Sequence, residues 1–389
     1  MKIIFSALGF GTGDNFGGST ILSGSNAIEL ARKGHEVVFL CTNRIDKKNK
    51  LFNGYYEKII EGVRVIYLNT FTIPFWYGDL GPHYVVFPKN IKTLIKNCDI
   101  IHCNEFRSFL SIYCTYLANK FNKPVIMNPH GTFSLHNERS NIKTLYNFLF
   151  KKIFKLKYSA FFASSIKEKE IYVNSGINTD SIYIIPNAIS EFDFNKCDKN
   201  FVKKLIKNDN PYILSIGRVA PLKGFGLVVS ALKDIPHNYN YIIIGPNQQN
   251  YAKDLIKLAE QEGVQNRLFI IGEINDKKDL YSSILGSEIF VHPSLAEAFG
   301  MVILEAAITK TPIVINNLCN IAPEFPKDTI LTVNSYPKDF SLAINKLLNS
   351  KKLGDLMSEN TFEFVKKNYY YSQVINKLEL TYKSIINAR

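Results

Sequence analysis

The chain lacks most of what would mark it as secreted, metal-dependent or membrane-spanning. Its 389 residues include only six cysteines (Cys41, Cys98, Cys103, Cys114, Cys197, Cys319), with no C-x-x-C pair among them. That spacing offers neither a zinc clip nor a disulfide framework, so buried, reduced thiols are expected. The seven histidines are scattered and make no metal-ligand pattern. No stretch approaches the roughly 18 uninterrupted apolar residues of a spanning helix. The opening run, Met1 to Ala7, is too short for a signal peptide and soon meets glycines and Asp14. A soluble, cytoplasmic protein is expected. Acidic residues are in the minority, 34 against 47 Lys and Arg, which leaves a formal net charge of +13. Such an excess favours anionic partners, whether nucleic acid, acidic lipid headgroups or phosphorylated ligands. No nucleic-acid recognition motif accompanies it, and nucleic acid drops out.

What is present reads as two α/β domains in series. Apolar β-type runs occur at Lys2 to Ala7, Glu36 to Cys41, Val63 to Leu68, Asp99 to Cys103, Pro124 to Asn128, Ala160 to Ala163 and Ile182 to Ile185. Helical segments such as Asn90 to Asn97 and Phe109 to Lys120 separate them. After the polar stretch Ser190 to Asn210 the rhythm restarts at Pro211 to Ile216. It recurs at Tyr241 to Gly245, Leu268 to Gly272, Ile289 to His292 and Pro312 to Ile315. Strands alternating with helices in this way predict doubly wound parallel sheets, with domains over residues 1–190 and 191–370. The segment Phe71 to Phe87, rich in Pro, Gly and aromatics, reads as a long connection after a strand.

The loops at the strands' carboxyl ends carry the candidate chemistry. Gly9, Gly11 and Gly13 suggest a dinucleotide fingerprint but are spaced G-x-G-x-G, and Cys41-Thr42-Asn43 supplies no acidic residue for a ribose. Gly17 and Gly18 sit where a helix begins, and bare backbone there can approach a phosphate or sugar; a merely flexible turn is the alternative. His130 follows an apolar strand in Asn128-Pro129-His130-Gly131, at the edge where α/β sheets bind ligands. Arg218 and Lys223 flank a strand-to-helix turn, and both can reach phosphate oxygens. Glu297 and Glu305 bracket Phe299-Gly300-Met301-Val302, with the first carboxylate on a loop and the second about a turn into a helix. The amides between them form a helix N-terminus suited to phosphate. Any such pair can also be an exposed loop carboxylate and a helix-surface Glu. Finally, Lys143 to Lys157 interleaves lysines with an apolar face of Leu145, Phe148, Leu149, Ile153 and Leu156. It fits either a core-packed helix with a solvated face or attachment to an anionic membrane surface.

Taken in order, these residues resemble the retaining glycosyltransferases of family 4. Gly17-Gly18, the helix ending Ala31-Arg32-Lys33-Gly34, His130-Gly131, Pro186-Asn187, Gly217-Arg218, Lys223-Gly224, Pro293-Ser294 and the Glu297 to Glu305 stretch span nearly the whole chain. The resemblance implies two Rossmann-like domains facing each other across a cleft, the GT-B fold. The acceptor would lie on the first domain and a nucleoside-diphosphate sugar, UDP- or GDP-linked, on the second. A closing helix, about 371–389, would return to the first. It further implies that Glu297 orients the donor sugar and that Glu305 holds the ribose. Arg218, Lys223 and the amides of Phe299 to Val302 would hold the diphosphate. His130 would contact the sugar near the reacting face, Gly17 and Gly18 would approach the diphosphate, and Glu273 and Ile274 would meet the base. No D-x-D pair occurs anywhere, which agrees with metal-independent handling of the diphosphate; no cofactor is implied. Two departures stand out. Ala188 replaces the family's usual Gly, suggesting a turn that tolerates a Cβ, and Gly245-Pro246-Asn247 replaces a more usual Gly-Asp-Gly.

The implied activity is transfer of a sugar to a hydroxyl of a saccharide or lipid-linked acceptor, in surface polysaccharide, glycolipid or glycoprotein glycan synthesis. A nucleotide-sugar epimerase or a phosphorylase on the same fold remains open. A two-domain solute-binding protein would need an export signal and would have no use for Arg218 and Lys223. If Lys143 to Lys157 is an anchor, the protein is peripheral on the inner face of the plasma membrane.

Overall fold

The structure, a computed structural model, describes residues 1–11, 18–44, 50–51, 53–72, 83–106, 108–131 and 156–388. Gly17, the middle of the Phe71 to Phe87 segment and all but the end of Lys143 to Lys157 lie outside the described residues. The chain forms two compact units. One comprises Met1–Ser164, Glu168–Ala188 and Tyr371–Arg389, and the other Ser165–Lys167 and Ile189–Tyr370.

The first unit contains β1 (Lys2–Ser6), β2 (Glu36–Thr42), β3 (Tyr56–Ile60), β4 (Val63–Leu68), β5 (Thr70–Thr72), β6 (His83–Val85), β7 (Ile100–Asn104), β8 (Val125–Asn128), β9 (Ala160–Ala163) and β10 (Ile182–Ile184). Among the described residues, eight of these form one sheet in the order β10-β9-β8-β7-β1-β2-β4-β3. All its pairs are parallel except the edge hairpin β3–β4. Strand β3 is exposed at four of its five residues and carries charged Glu57 and Lys58 at its centre, as befits a protected edge. For that reason it carries no apolar run to read. The described ends of the Phe71 to Phe87 segment differ from a plain connection, because β5 and β6 pair as an antiparallel ribbon.

The second unit holds β11 (Tyr212–Ile216), β12 (Asn240–Ile244), β13 (Leu268–Ile271), β14 (Ile289–His292), β15 (Ile313–Asn316) and β16 (Leu331–Val333). They form a wholly parallel sheet in the order β13-β12-β11-β14-β15-β16. Its strands are predominantly apolar because both faces are covered by helices, with Ser215, Asn240, His292 and Asn316 as buried polar exceptions. Leu214, Ile242, Phe290 and Ile315 enter one core cluster, while Ile213, Ile243, Val291 and Val314 enter the other.

The last helix, Tyr371–Asn387, belongs to the first unit. Val374, Ile375, Leu378, Tyr382 and Ile385 recur at helical spacing and are buried with Ile3, Phe5, Phe39 and Phe162. Each is worth about 1.5–3 kcal/mol of apolar burial. Tyr382 also brings its hydroxyl 2.5 Å from the Nδ1 of buried His102 on β7.

In both sheets the strand order reverses once. The reversal falls between β1 and β7 in the first unit and between β11 and β14 in the second. The carboxyl ends of the strands at such a point are where doubly wound sheets bind ligands.

Candidate active site

In the second unit, the loops after β11 and β14 meet at that reversal point and are locked together through backbone. Leu295 N donates to Leu222 O at 2.9 Å. Gly217 N donates to Ile244 O at 2.9 Å and Val219 N to Pro246 O at 2.8 Å, which ties the first loop to β12 as well. This frame carries Lys223 at the end of a short turn, Pro221–Lys223, and Glu297 four residues before the helix Met301–Ile308, in a stretch whose backbone is held by the loop after β15. Asn320 N donates to Glu297 O at 3.2 Å.

The side chains then converge. The ammonium of Lys223 donates to Glu297 Oε2. His292, the last residue of β14 and 1% exposed, places Nε2 3.1 Å from the same oxygen. A carboxylate accepts only, so Nε2 carries the proton. Burial alone would push the Glu297 carboxyl up. The His292 hydrogen bond and charge, with the Lys223 ammonium, overcome that and hold it down at about 2. Three residues on, Gly300 caps the helix Met301–Ile308 with a left-handed backbone. The first-turn amides of any helix have no acceptor within it, and they leave this end partially positive. Phe299 is buried, while Met301 and Val302 are half-buried against the core.

Glu305 lies on the same helix, half-buried. It makes no hydrogen bond or ion pair among the described residues, and burial raises its carboxyl, with Lys277 pulling the other way. The two cations do not share a partner. Lys223 is committed to Glu297, while exposed Arg218 reaches Gln248 Oε1 beyond β12, at 3.3 Å. After β13, Glu273 is exposed and Ile274 is half-buried against the core that includes Phe299. Sequence reasoning missed His292. Its one signal is a polar ring closing an apolar strand five residues before Glu297.

In the first unit, Gly18 opens the helix Gly18–Arg32, with nothing within 4 Å of where a Cβ would stand. His130 follows β8 with a left-handed backbone, φ 49, and Gly131 continues it at φ 75. Its Nε2 lies 2.8 Å from Asn104 Oδ1. Asn104 Nδ2 donates to Ser6 O at 3.1 Å, which fixes the amide's orientation. Oδ1 can then only accept, so His130 carries its proton on Nε2. Burial holds the ring's pKa down at about 4, with Glu168 opposing, and the imidazole is neutral near pH 7. Two buried carboxylates also frame this edge. Glu105, φ 60, accepts from Leu8 N at 3.1 Å, and its own N donates to Asn128 O at 3.1 Å, joining the ends of β1, β7 and β8. Glu168 accepts from Gly131 N at 2.8 Å. Ala188 is buried and has no left-handed backbone, so a Cβ is accommodated there.

The cysteines are free thiols, five of them buried. Burial pushes Cys103 up to about 11 and Cys98 and Cys319 up to about 12. Among the described residues no helix is long and apolar enough to cross a membrane.

A doubly wound sheet in each unit, with a Lys–Glu–His cluster beside a helix N-terminus in the second, defines an α/β protein of the class that binds ligands at the carboxyl ends of its strands. Comparison with known proteins names the family. Residues 16–191 match the model of Glycosyltransferase Family 4, and residues 197–364 match Glycosyl transferases group 1. The chain belongs to this family and is a nucleotide-sugar glycosyltransferase. It is 26% identical to an uncharacterised glycosyltransferase of Methanocaldococcus jannaschii over 94% of both chains. It is 23% identical to the GPI3 subunit of phosphatidylinositol N-acetylglucosaminyltransferase of Saccharomyces cerevisiae, over 92% of this chain and 77% of that one. Its fold matches that of Anabaena HepE, solved in complex with UDP-glucose, with a TM-score of 0.72 at 17% identity over 99% of this chain and 100% of that one. The GT-B architecture is thereby shared along the full length.

Proposed function

We propose that the chain transfers a sugar from a UDP- or GDP-linked donor to a hydroxyl of a saccharide or lipid-linked acceptor, with retention at the anomeric carbon. The product belongs to a surface polysaccharide, a glycolipid or a glycoprotein glycan. The observation that carries this reading is the Lys223–Glu297–His292 cluster at the sheet's reversal point, beside the N-terminus of Met301–Ile308. It puts a cation, an ionised acceptor and amide donors together, the set a glycosyl diphosphate requires.

In the reaction, the bond from the anomeric carbon to the diphosphate oxygen breaks and the acceptor oxygen bonds to that carbon on the same face. The acceptor's proton passes to the departing phosphate oxygen. Charge grows on the diphosphate as the bond breaks, and Arg218, Lys223 and the Phe299 to Val302 amides stabilise it without reorganisation. Glu297 accepts from the sugar hydroxyls and fixes the ring. Glu305 accepts from the ribose, and the stretch at Glu273 and Ile274 meets the base. In the first unit, His130 is assigned to the donor sugar and Gly17 and Gly18 to the diphosphate. The first unit is read as the acceptor domain and the second as the donor domain.

The yeast relative's name, a transferase acting on phosphatidylinositol, supports a lipid-linked acceptor. The complex of the Anabaena neighbour with UDP-glucose supports a UDP-linked donor. The net charge of +13 and the lysine-rich face of Lys143 to Lys157 support attachment to an anionic membrane. Product analysis with donor alone, with donor and acceptor, and with donor and inorganic phosphate tests the reaction. A glycoside with retained configuration is expected. An epimerised nucleotide sugar or a sugar phosphate would overturn it.

A further inference from the structure

His130 is held in a backbone conformation that an ordinary residue avoids, and the structure shows what holds it there. A non-glycine residue in the left-handed region costs about 1–2 kcal/mol, and such strain persists only where surrounding contacts over-determine it. Two successive left-handed residues, His130 and Gly131, turn the chain at the end of β8. Asn104 grips the ring of the first, as described above. The peptide that follows is gripped by Glu168, 2% exposed, from the helix Ile166–Asn174.

The carboxylate of Glu168 is built into its place. Oε1 accepts from Gly131 N at 2.8 Å and from the Tyr172 hydroxyl at 2.8 Å. Oε2 accepts from Ser164 N and from the Ser164 hydroxyl, both at 2.7 Å. A buried carboxylate is strongly unfavourable unless its lone pairs are filled, and here four donors fill them. Three of these donors lie on the end of β9 and on Glu168's own helix. Among the described residues, Gly131 N is the donor that comes from the loop of β8. The bond therefore transfers the rigidity of the β9 turn to the peptide that carries His130.

We propose that Glu168 is the positioning residue for His130. Glu168 and Asn104 form a two-point clamp, on the backbone and the ring, that presents the imidazole in one tautomer. Nε2–H is spent on Asn104, and Nδ1 is left as the ring's acceptor. His130 then serves the reaction as a neutral acceptor in a fixed orientation. The clamp rests on the assignment of His130 to the donor sugar and adds to it the residue that enforces its geometry.

The test combines spectroscopy with kinetics. With 15N-labelled histidine, the His130 ring of the wild type gives one protonated nitrogen, Nε2, at pH 7. In Glu168→Gln the one remaining oxygen can accept from Gly131 N or from Ser164 N but not both, so an amide N–H faces the other, the turn relaxes and both tautomers appear. Kinetics use whichever of UDP-glucose, UDP-N-acetylglucosamine and GDP-mannose the wild type turns over fastest. Misplacing a reacting contact by an ångström costs about 100-fold. Glu168→Gln is expected to lose about that in kcat with donor KM within about two-fold. In the His130→Ala background Glu168→Gln should add nothing, as residues acting through one another are non-additive. Thermal melts of each variant verify folding. An unchanged ring signature in Glu168→Gln, or an equal loss in both backgrounds, overturns the clamp. Full activity of His130→Ala instead removes the assignment beneath it, so the two failures are distinguishable.

Discussion

The carbonyl oxygen of Pro293 stands 2.2 Å from the point that a Cβ on residue 224 would occupy. Gly224 also has a left-handed backbone, φ 66. The loops after β11 and β14 are pressed together at this contact, and the contact sets Lys223 beside Glu297. Alanine at 224 meets two penalties, about 1–2 kcal/mol for the left-handed backbone and about 1–3 kcal/mol for overpacking. Gly224→Ala should therefore destabilise the second unit by about 2–5 kcal/mol, read as a lower urea midpoint by far-UV circular dichroism. A midpoint equal to that of the wild type would show that the two loops are free to separate.

Lys223 and Glu297 satisfy each other, and His292 holds Glu297 by a second hydrogen bond. Lys223→Ala and Glu297→Ala should each lower kcat about 100- to 1,000-fold, since one lost stabiliser of developing charge costs about 3–4 kcal/mol. His292→Phe should act more mildly. It removes one hydrogen bond to a charged group, worth about 1.5–3 kcal/mol, and should raise donor KM about 10- to 100-fold. Retention of full activity by Lys223→Ala or Glu297→Ala would end their assignment to the donor.

Acid sensitivity follows from groups whose folded pKa values lie below their ordinary ones: His130, held at about 4, together with His102 and Glu297. Buried His102 is held at about 3 against 6.5, chiefly by burial. Between those values the unfolded chain binds a proton that the native ring refuses, so native stability falls as pH drops below 6.5. At pH 5 this one residue has removed about 2 kcal/mol relative to pH 7. Glu297, held at about 2 against 4.5 by His292 and Lys223 against the effect of burial, acts in a lower window. Its contribution is complete above pH 4.5 and is lost as pH falls through 2. Urea unfolding at pH 7 and pH 5 checks the first window. His102→Gln, which keeps a partner for Tyr382, should reduce that slope and leave the part due to His130, and an undiminished slope would place the protonation elsewhere.

How much of this was legible beforehand depends on how local the cause is. Strands buried on both faces announce themselves, because each residue from Tyr212 to Ile216 or Ile289 to His292 must be apolar or satisfied. Charged residues in the loops after those strands stand out for the same reason, and Arg218, Lys223 and Glu297 were readable as candidates. What pairs with what was not readable. Lys223 turns to Glu297, 74 residues away, while Arg218 turns to Gln248, and only the order of strands decides this. The carboxylates behind His130 were hidden by plausible local roles. Glu168 completes Ser165-Ile166-Lys167-Glu168, an ordinary capping pattern for a helix start, and Glu105 follows a strand with nothing to mark it. Edge strand β3 escaped because it is exposed and mixes Glu57 and Lys58 with its apolar residues.

The basic stretch Lys143 to Lys157 yields the last prediction. Its lysines and its apolar face lie on one amphipathic pattern, and each Lys near an anionic surface contributes about 1 kcal/mol that decays within a Debye length. At low ionic strength that length is about 30 Å at 0.01 M, shrinking to about 10 Å at 0.1 M. The full-length protein should pellet with phosphatidylserine-containing vesicles at low salt, detach as salt rises, and ignore phosphatidylcholine vesicles. Changing Lys151, Lys152 and Lys155 to Gln should abolish pelleting while leaving turnover of a soluble acceptor intact. Pelleting that survives both high salt and the triple change would mean that apolar insertion, with no help from charge, carries the attachment. No pelleting at low salt would assign the lysines to the solvated face of a core-packed helix.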